Sequence, residues 1–267
     1  MGDSMVSIKN LNYSHKNVTI FDNLDLEIKS GDFVFIVGKN NSGKTTLIKI
    51  LSGIIQGDFD IKINKKNIKN IKEIRKDINI LLEGTNYFIT DTVKEELELK
   101  LKNLKISEKE IEEEINKIAK EFSIDNMLEY NPNNLSGGEK QLVKLIATLI
   151  GNPKLIILDE ATSMLDGVTK EKVFKYLKKL NRQNKTTIIC TTNDMNNLIY
   201  GKRIIILGNK NIAFDSKINK AFTNEKVFRE NDLELPFMAS LSLKLRYYNL
   251  IDEIILDINK MVDKLWK

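Results

Sequence analysis

The chain predicts an α/β fold built on a parallel sheet, with an antiparallel β portion ahead of it, a helical portion in the middle and a short helical tail. Three observations carry this. The apolar run Phe33-Val34-Phe35-Ile36-Val37 ends in a glycine-rich loop, Gly38-Lys39-Asn40-Asn41-Ser42-Gly43-Lys44-Thr45, and Thr46 to Leu51 then reads as a helix. A second apolar run, Leu155 to Leu158, ends in the adjacent carboxylates Asp159 and Glu160. Further short apolar runs at Thr186–Thr191 and Arg203–Leu207 complete the pattern of strands set among helices, as in α/β sheets.

Val6–Tyr13 and Val18–Ile28 alternate apolar and polar residues, as half-buried strands do, and Ser30-Gly31-Asp32 marks the turn before the loop strand. Gly57–Ile63 repeats the alternation. These segments read as an antiparallel sheet beside the parallel core. From Asp91 the character becomes helical: Thr92–Leu97 opens a helix, and Ser107-Glu108-Lys109-Glu110 is a capping-box pattern ahead of Ile111, Ile115, Ile118 and Phe122 on one face. Gly208–Asn211 is a hairpin turn into Ile212–Phe214. Ile251, Ile254, Ile255, Ile258, Val262 and Leu265 follow at helical spacing in the tail. That stripe packs either on its own cassette or in a dimer contact.

The strand, loop and helix order aims backbone N–H groups and a helix N-terminus at a phosphate chain, so the loop is read as binding ATP or GTP. Lys44 sets a charge against the terminal phosphates, Thr45 offers a hydroxyl to Mg²⁺, and the backbone from Asn41 to Thr46 cradles phosphate oxygens. Asn41 stands where such loops often carry glycine, and asparagine tolerates a left-handed backbone better than most residues. At the end of the second run, Asp159 is placed to hold the Mg²⁺ shell and Glu160 to orient or deprotonate an attacking water. Between these elements lies Leu135-Ser136-Gly137-Gly138-Glu139-Lys140-Gln141, where Ser136 caps a helix and two glycines leave backbone N–H groups bare for an anion.

Glycine-rich loop, Leu135-Ser136-Gly137-Gly138, Asp159-Glu160, then Ser163-Met164-Leu165-Asp166, in this order, resembles the ATP-binding-cassette ATPases. The resemblance implies a P-loop NTPase of ABC-cassette type with an antiparallel β subdomain, a helical subdomain and a small C-terminal helical extension. It also implies ATP and Mg²⁺ as cofactors, and a dimer in which Ser136, Gly137 and Gly138 of one subunit close on ATP held by the partner's loop. By the same matching, Asp166 belongs to the loop that crosses the dimer. Tyr13 sits where the family stacks an aromatic ring on adenine, although by its own pattern it is a strand residue facing a core. The implied domains are 1–220 for the ATPase, with the helical subdomain at about 84–150, and 221–267 for the extension.

Leu233-Glu234-Leu235-Pro236-Phe237-Met238, leading into Leu241–Tyr248 and Ile251–Leu265, resembles the tail of the ATPase subunits of energy-coupling factor transporters, which drive vitamin and metal-ion uptake. The implied partners are a second cassette, identical or a relative, an integral membrane coupling subunit and a substrate-binding membrane subunit. In that family the coupling subunit meets a groove beside the switch-glutamine loop; the resemblance places Gly84–Ile89 in that groove, with Tyr87 and Phe88 either touching a coupling helix or packing in the core. The implied place is the cytoplasmic face of the membrane.

Two positions depart from the family. Glu83 stands for the switch glutamine and Asn193 for the switch histidine, while the one histidine, His15, is in the wrong place to substitute. Glu83 can still offer oxygen to Mg²⁺. Asn193 offers a γ-phosphate a neutral hydrogen bond and no borrowed charge, and charge-assisted bonds are roughly twice as strong. The expectation is therefore a slow own site that binds ATP and serves a partner's competent site. The alternatives are an ordinary ATPase that tolerates both changes, a non-hydrolysing regulatory cassette, and a cassette protein of translation or DNA repair. The last lacks the second cassette or long coiled-coil insertion expected of it.

Composition fits one cassette and its tail: 267 residues, 42% hydrophobic and 30% charged, enough for one large core. No apolar run approaches the ~20 residues that span a bilayer, and Met1-Gly2-Asp3-Ser4 has no basic or apolar start of a secretory signal. A net charge of +5 from scattered lysines reads as a solvated surface, or one that a peripheral protein uses near anionic lipid, and the lack of a basic stripe carrying aromatics argues against nucleic acid as a partner. The single Cys190, inside an apolar run, forms no internal disulfide and reads as a buried, inert thiol.

Overall fold

A computed structural model describes residues 3–85, 87–102 and 106–266. The strands are β1 (Ser4–His15), β2 (Val18–Lys29), β3 (Phe33–Val37), β4 (Asp60–Ile63), β5 (Lys66–Asn67), β6 (Ile78–Leu81), β7 (Leu155–Asp159), β8 (Thr187–Thr191), β9 (Arg203–Gly208) and β10 (Asn211–Lys217). The helices are α1 (Lys44–Leu51), α2 (Ile71–Ile74), α3 (Val93–Lys102), α4 (Glu108–Phe122), α5 (Gly137–Leu149), α6 (Gly167–Gln183), α7 (Ile218–Ala221), α8 (Glu225–Glu230), α9 (Phe237–Tyr247) and α10 (Ile258–Leu265).

Two sheets form. The larger runs β10-β9-β3-β8-β7-β6, parallel except for the β9/β10 hairpin, and the smaller, β2-β1-β4-β5, is antiparallel throughout. Every residue of β3, β7 and β8 is buried, because a parallel sheet is covered on both faces. Their side chains divide with period two between two cores. Phe33, Phe35, Ile156, Leu158, Ile188 and Cys190 face α3 to α6. Val34, Ile36, Leu155, Ile157 and Ile189 face α1 and the antiparallel sheet. Burial in this strand pushes the Cys190 thiol upward, away from the reactive thiolate.

Because β3, β8, β7 and β6 are parallel and in register, their carboxyl ends lie along one edge. Ile36 is paired with Thr191, Asp159 with Thr191, and Leu81 with Leu158. Crevices at such edges are where open α/β sheets bind ligands.

Local expectations hold at both helix caps. Ser107 and Ser136 each accept from the backbone N–H three residues on, while Glu110 and Glu139 reach back to them, so α4 and α5 both open with a complete capping box. The strand expected over Gly57–Ile63 starts at Asp60, and the hairpin strand runs on to Lys217.

The tail differs from expectation. Residues 251–257 are not helical, and α10 begins only at Ile258 with Asp257 as its cap. The continuous stripe is therefore split. Ile251, Ile255 and Met261 pack with Met238, Leu241 and Leu245 in a small cluster, whereas Ile258, Val262 and Leu265 are exposed. The Ser242 hydroxyl stitches the cluster, donating to the Ile255 carbonyl at 2.8 Å and accepting its N–H at 3.0 Å. These hydrogen bonds take the backbone of this segment away from the helical ladder. Nearer the cassette, Ala221, Phe222, Phe228 and Ala239 belong to the large core itself.

Candidate active site

β3 delivers the chain to Gly38, whose positive φ of 156° brings it against neighbouring atoms. A side chain there would lie 2.5 Å from the Leu207 carbonyl and from Ser42 Oγ. Asn41 takes the left-handed conformation with φ 64°. Gly43, with φ 100°, opens α1 where a Cβ would meet the Phe21 ring at 2.8 Å. Lys44 is buried and folded over the loop, donating to the carbonyls of Gly38 at 2.6 Å and Lys39 at 3.3 Å. Burial lowers its pKa, while Glu160, Asp159 and Glu83, in that order, oppose the shift. Lys39 and Asn40 are exposed, Thr45 and Thr46 half-buried.

Asp159, buried at the end of β7, accepts from Thr191 Oγ1 at 2.5 Å and from Thr45 Oγ1 at 3.5 Å, both on Oδ1. Glu160 leaves the strand in a left-handed conformation, φ 49°, unusual for glutamate. Its N–H donates to Thr191 Oγ1 at 3.1 Å, and its carbonyl accepts from Ser163 N–H at 3.2 Å and Gln141 Nε2 at 3.5 Å. Burial raises the Glu160 pKa, against an N–H bond from Asn193 and the charge of Lys44. Three buried polar side-chain atoms among the described residues have no hydrogen-bond partner: Ser42 Oγ, Asp159 Oδ2 and Glu160 Oε1. All three belong to the loop and the acidic turn, and such atoms call for a bound group.

The other sequence-derived positions arrange themselves around this centre. Glu83 is exposed and lines a cavity of about 160 Å³ together with Asp159, Gln141 and Met164. Asn193 is exposed, and its backbone reaches Glu160. Ser136 and Gly137 are exposed at the start of α5, and Gly138 is half-buried, with room for a Cβ only at 3.1 Å from the Met164 carbonyl. Tyr13 is half-buried, edge-on to Phe59 at 6.4 Å, and paired across the sheet with Phe21, whose ring lies under Gly43. Asp166 is not free within this chain: its carboxylate caps α6 by accepting from Val168 and Thr169 N–H and from the Thr169 hydroxyl. Two residues without an assigned role prove to be structural links. Gln141 clasps Ser163, Met164 and Glu160, and Thr191 touches both acids. Their partners lie about 20 to 30 residues away in sequence, so only the folded chain reveals them: strand register for Thr191 and the packing of α5 on the acidic turn for Gln141.

The family model for ABC transporters matches residues 21–163. The chain belongs to the ABC transporter ATPases. Within that family it is similar to the energy-coupling factor transporter ATP-binding proteins EcfA1 of Oenococcus oeni, at 36% identity over 91% of this chain and 90% of the relative, and of Mycoplasma genitalium, at 32% over 98% and 96%. Among solved structures it resembles cbiO1 from Clostridium perfringens, part of the ABC transporter complex cbiONQ, with TM-score 0.73, 26% identity and coverage of 90% and 98%. It also resembles the cassette MJ0796 in a dimeric post-hydrolysis state bound to ADP and Pi, with TM-score 0.72, 29% identity and coverage of 80% and 99%. This ABC cassette is accordingly an ATP-binding subunit of an importer of the energy-coupling factor type. No helix among its described residues is long and apolar enough to cross a membrane.

Proposed function

We propose that this ABC cassette binds ATP with Mg²⁺ as one half of a cassette pair and, through membrane subunits at the cytoplasmic face, energises uptake of a vitamin or metal ion. The observation that carries the site assignment is the set of partnerless atoms, Ser42 Oγ, Asp159 Oδ2 and Glu160 Oε1, beside Lys44. Asp159 and the Thr45 hydroxyl are hard oxygen donors that suit Mg²⁺, and Glu83 offers a further oxygen on the cavity that Asp159 also lines. The ion, when bound, neutralises charge on the phosphates. Lys44 supplies the fixed positive charge, the amides of Asn41 to Thr46 receive phosphate oxygens, and Glu160 holds the water from which a proton leaves. Tyr13 stacks on the base, and Ser136, Gly137 and Gly138, exposed at a helix start, reach the partner's nucleotide. Asp166 fixes the start of α6 on the loop that meets that partner.

The membrane partner fits the groove between β6 and α3, about 520 Å³, lined by Ile78, Leu82, Tyr87, Leu99 and Lys100. Tyr87 and Ile89 project beside it with 71% and 77% exposure, while Phe88 is buried. Of the two residues read as contacts or core, Phe88 therefore belongs to the core; Asn86, in the same stretch, lies outside the described residues.

The finer reading is a slow own site, because Asn193 brings no borrowed charge to a γ-phosphate. ATP turnover by the isolated chain tests it. Binding with little hydrolysis is expected; rapid hydrolysis abolished by Glu160→Gln would remove the slow-site reading. One observation favours the alternative of an ordinary ATPase: Asn193 supports Glu160 through its backbone N–H, a contact independent of side-chain identity.

A further inference from the structure

Thr191 ends β8 with 3% exposure, directly opposite Asp159 in the parallel register. A hydroxyl owns one proton and two acceptor lone pairs. Here the proton goes to Asp159 Oδ1 at 2.5 Å, and a lone pair receives the N–H of Glu160 at 3.1 Å. Both uses are fixed by their partners, since a carboxylate oxygen only accepts and an amide N–H only donates. Being β-branched, the side chain is also stiff about χ1.

The two contacts have different consequences. On Asp159, Thr191 occupies Oδ1 and fixes the carboxylate plane, so that Oδ2 is the oxygen left without a partner. On Glu160, it satisfies the N–H at the point where the chain turns left-handed and leaves the strand. The carbonyl of the same residue is held by Ser163 N–H and Gln141 Nε2. The turn that carries the Glu160 carboxylate is thereby tied on both sides.

We propose that the Thr191 hydroxyl is a positioning residue for this site, orienting the Asp159 carboxylate toward the metal and holding the Glu160 turn in place. This rests on the reading that Asp159 holds Mg²⁺. Partners that orient a metal ligand typically contribute 10- to 100-fold to metal affinity. Thr191→Val keeps the shape and the strand preference and removes only the hydroxyl.

The test uses the full chain and measures ATP affinity first in EDTA and then across a titration of MgCl₂. Thr191→Val is expected to raise the Mg²⁺ concentration of half-maximal effect by about tenfold or more, leave metal-free ATP affinity as in the wild type, and be rescued by Thr191→Ser. Thr191→Ala provides the same comparison if the valine variant does not fold. An unchanged Mg²⁺ midpoint, or an equal loss with and without Mg²⁺ as from a loosened fold, would overturn the proposal alone. A wild-type chain whose ATP affinity ignores Mg²⁺ would instead overturn the metal assignment to Asp159 and this inference with it.

Discussion

At the level of single residues, the site is built from side chains denied their usual partners. Glu160 is the extreme case, a carboxylate raised in pKa by burial on a left-handed turn. Glu160→Gln is expected to keep ATP binding and lower the residual hydrolysis at this chain's own site by about 10²- to 10⁴-fold, the usual contribution of a general base; single-turnover assays of the isolated chain check both. Asn193→His restores the charge that the neutral amide lacks and is expected to raise turnover of the own site by about tenfold, given the added strength of a charge-assisted bond. An unchanged rate would favour the ordinary ATPase. What was legible here followed from local chemistry: Asn41 takes the left-handed conformation that its type tolerates, and Asp159 ends its strand with Glu160 on the turn beyond. Thr191 was not legible, because one hydroxyl in an apolar run gains its meaning only from the neighbouring strand.

Elements are set by their caps and by what they cover. Ser136 and Glu139 satisfy one another at the start of α5, and Gln141 one turn later clasps the acidic turn. Ser136→Ala is expected to destabilise the fold by about 1 kcal/mol, as for other lost N-caps. Hydrogen bonds from the Ser136 hydroxyl and N–H hold the Glu139 carboxyl below its usual value of 4.5. An acid whose pKa is lowered by folding stabilises above its unfolded pKa and loses that contribution as pH falls through the lowered value. The difference between wild type and Ser136→Ala, read by urea unfolding, should therefore shrink from about pH 7 to about pH 3. Sequence exposed the Ser107–Glu110 capping box and Ser136 as a cap because such partners lie three residues apart, while the answering bond from Glu139 back to Ser136 came from the structure. It overextended the last helix, since the spacing of Ile251 to Leu265 satisfies a helical stripe while the backbone at Ile255 bonds instead to Ser242.

Across the whole molecule, the sheet gathers the groups of the candidate site at the carboxyl ends of its parallel strands. Phe88 packs in the large core under Lys144, 4.2 Å from the ring centroid, whereas Tyr87 is exposed on the groove. Phe88→Ala should cost about 3 kcal/mol or more of stability, and Tyr87→Ala should stay within ~0.5 kcal/mol while uncoupling hydrolysis from uptake; thermal melts and transport assays separate the two. The tail is not a simple appendage. A chain cut after Lys220 loses Phe222 and Phe228, which are 0% and 1% exposed in the main core. At about 3–5 kcal/mol for each buried phenylalanine, set against a total stability of about 5–15 kcal/mol, that chain should show no cooperative melt. A cut after Leu235 keeps both rings and should retain one. The exposed Tyr247, Tyr248, Ile258 and Trp266 make that shorter chain the proper one for measuring association. The central requirement is that ATP is recognised by the loop at the carboxyl end of β3. Calorimetric titration of the full chain with ATP and MgCl₂, beside Lys44→Ala, measures this most directly. Saturable binding weakened about tenfold or more by the substitution is the expected result, and equal affinity of the two chains would contradict it.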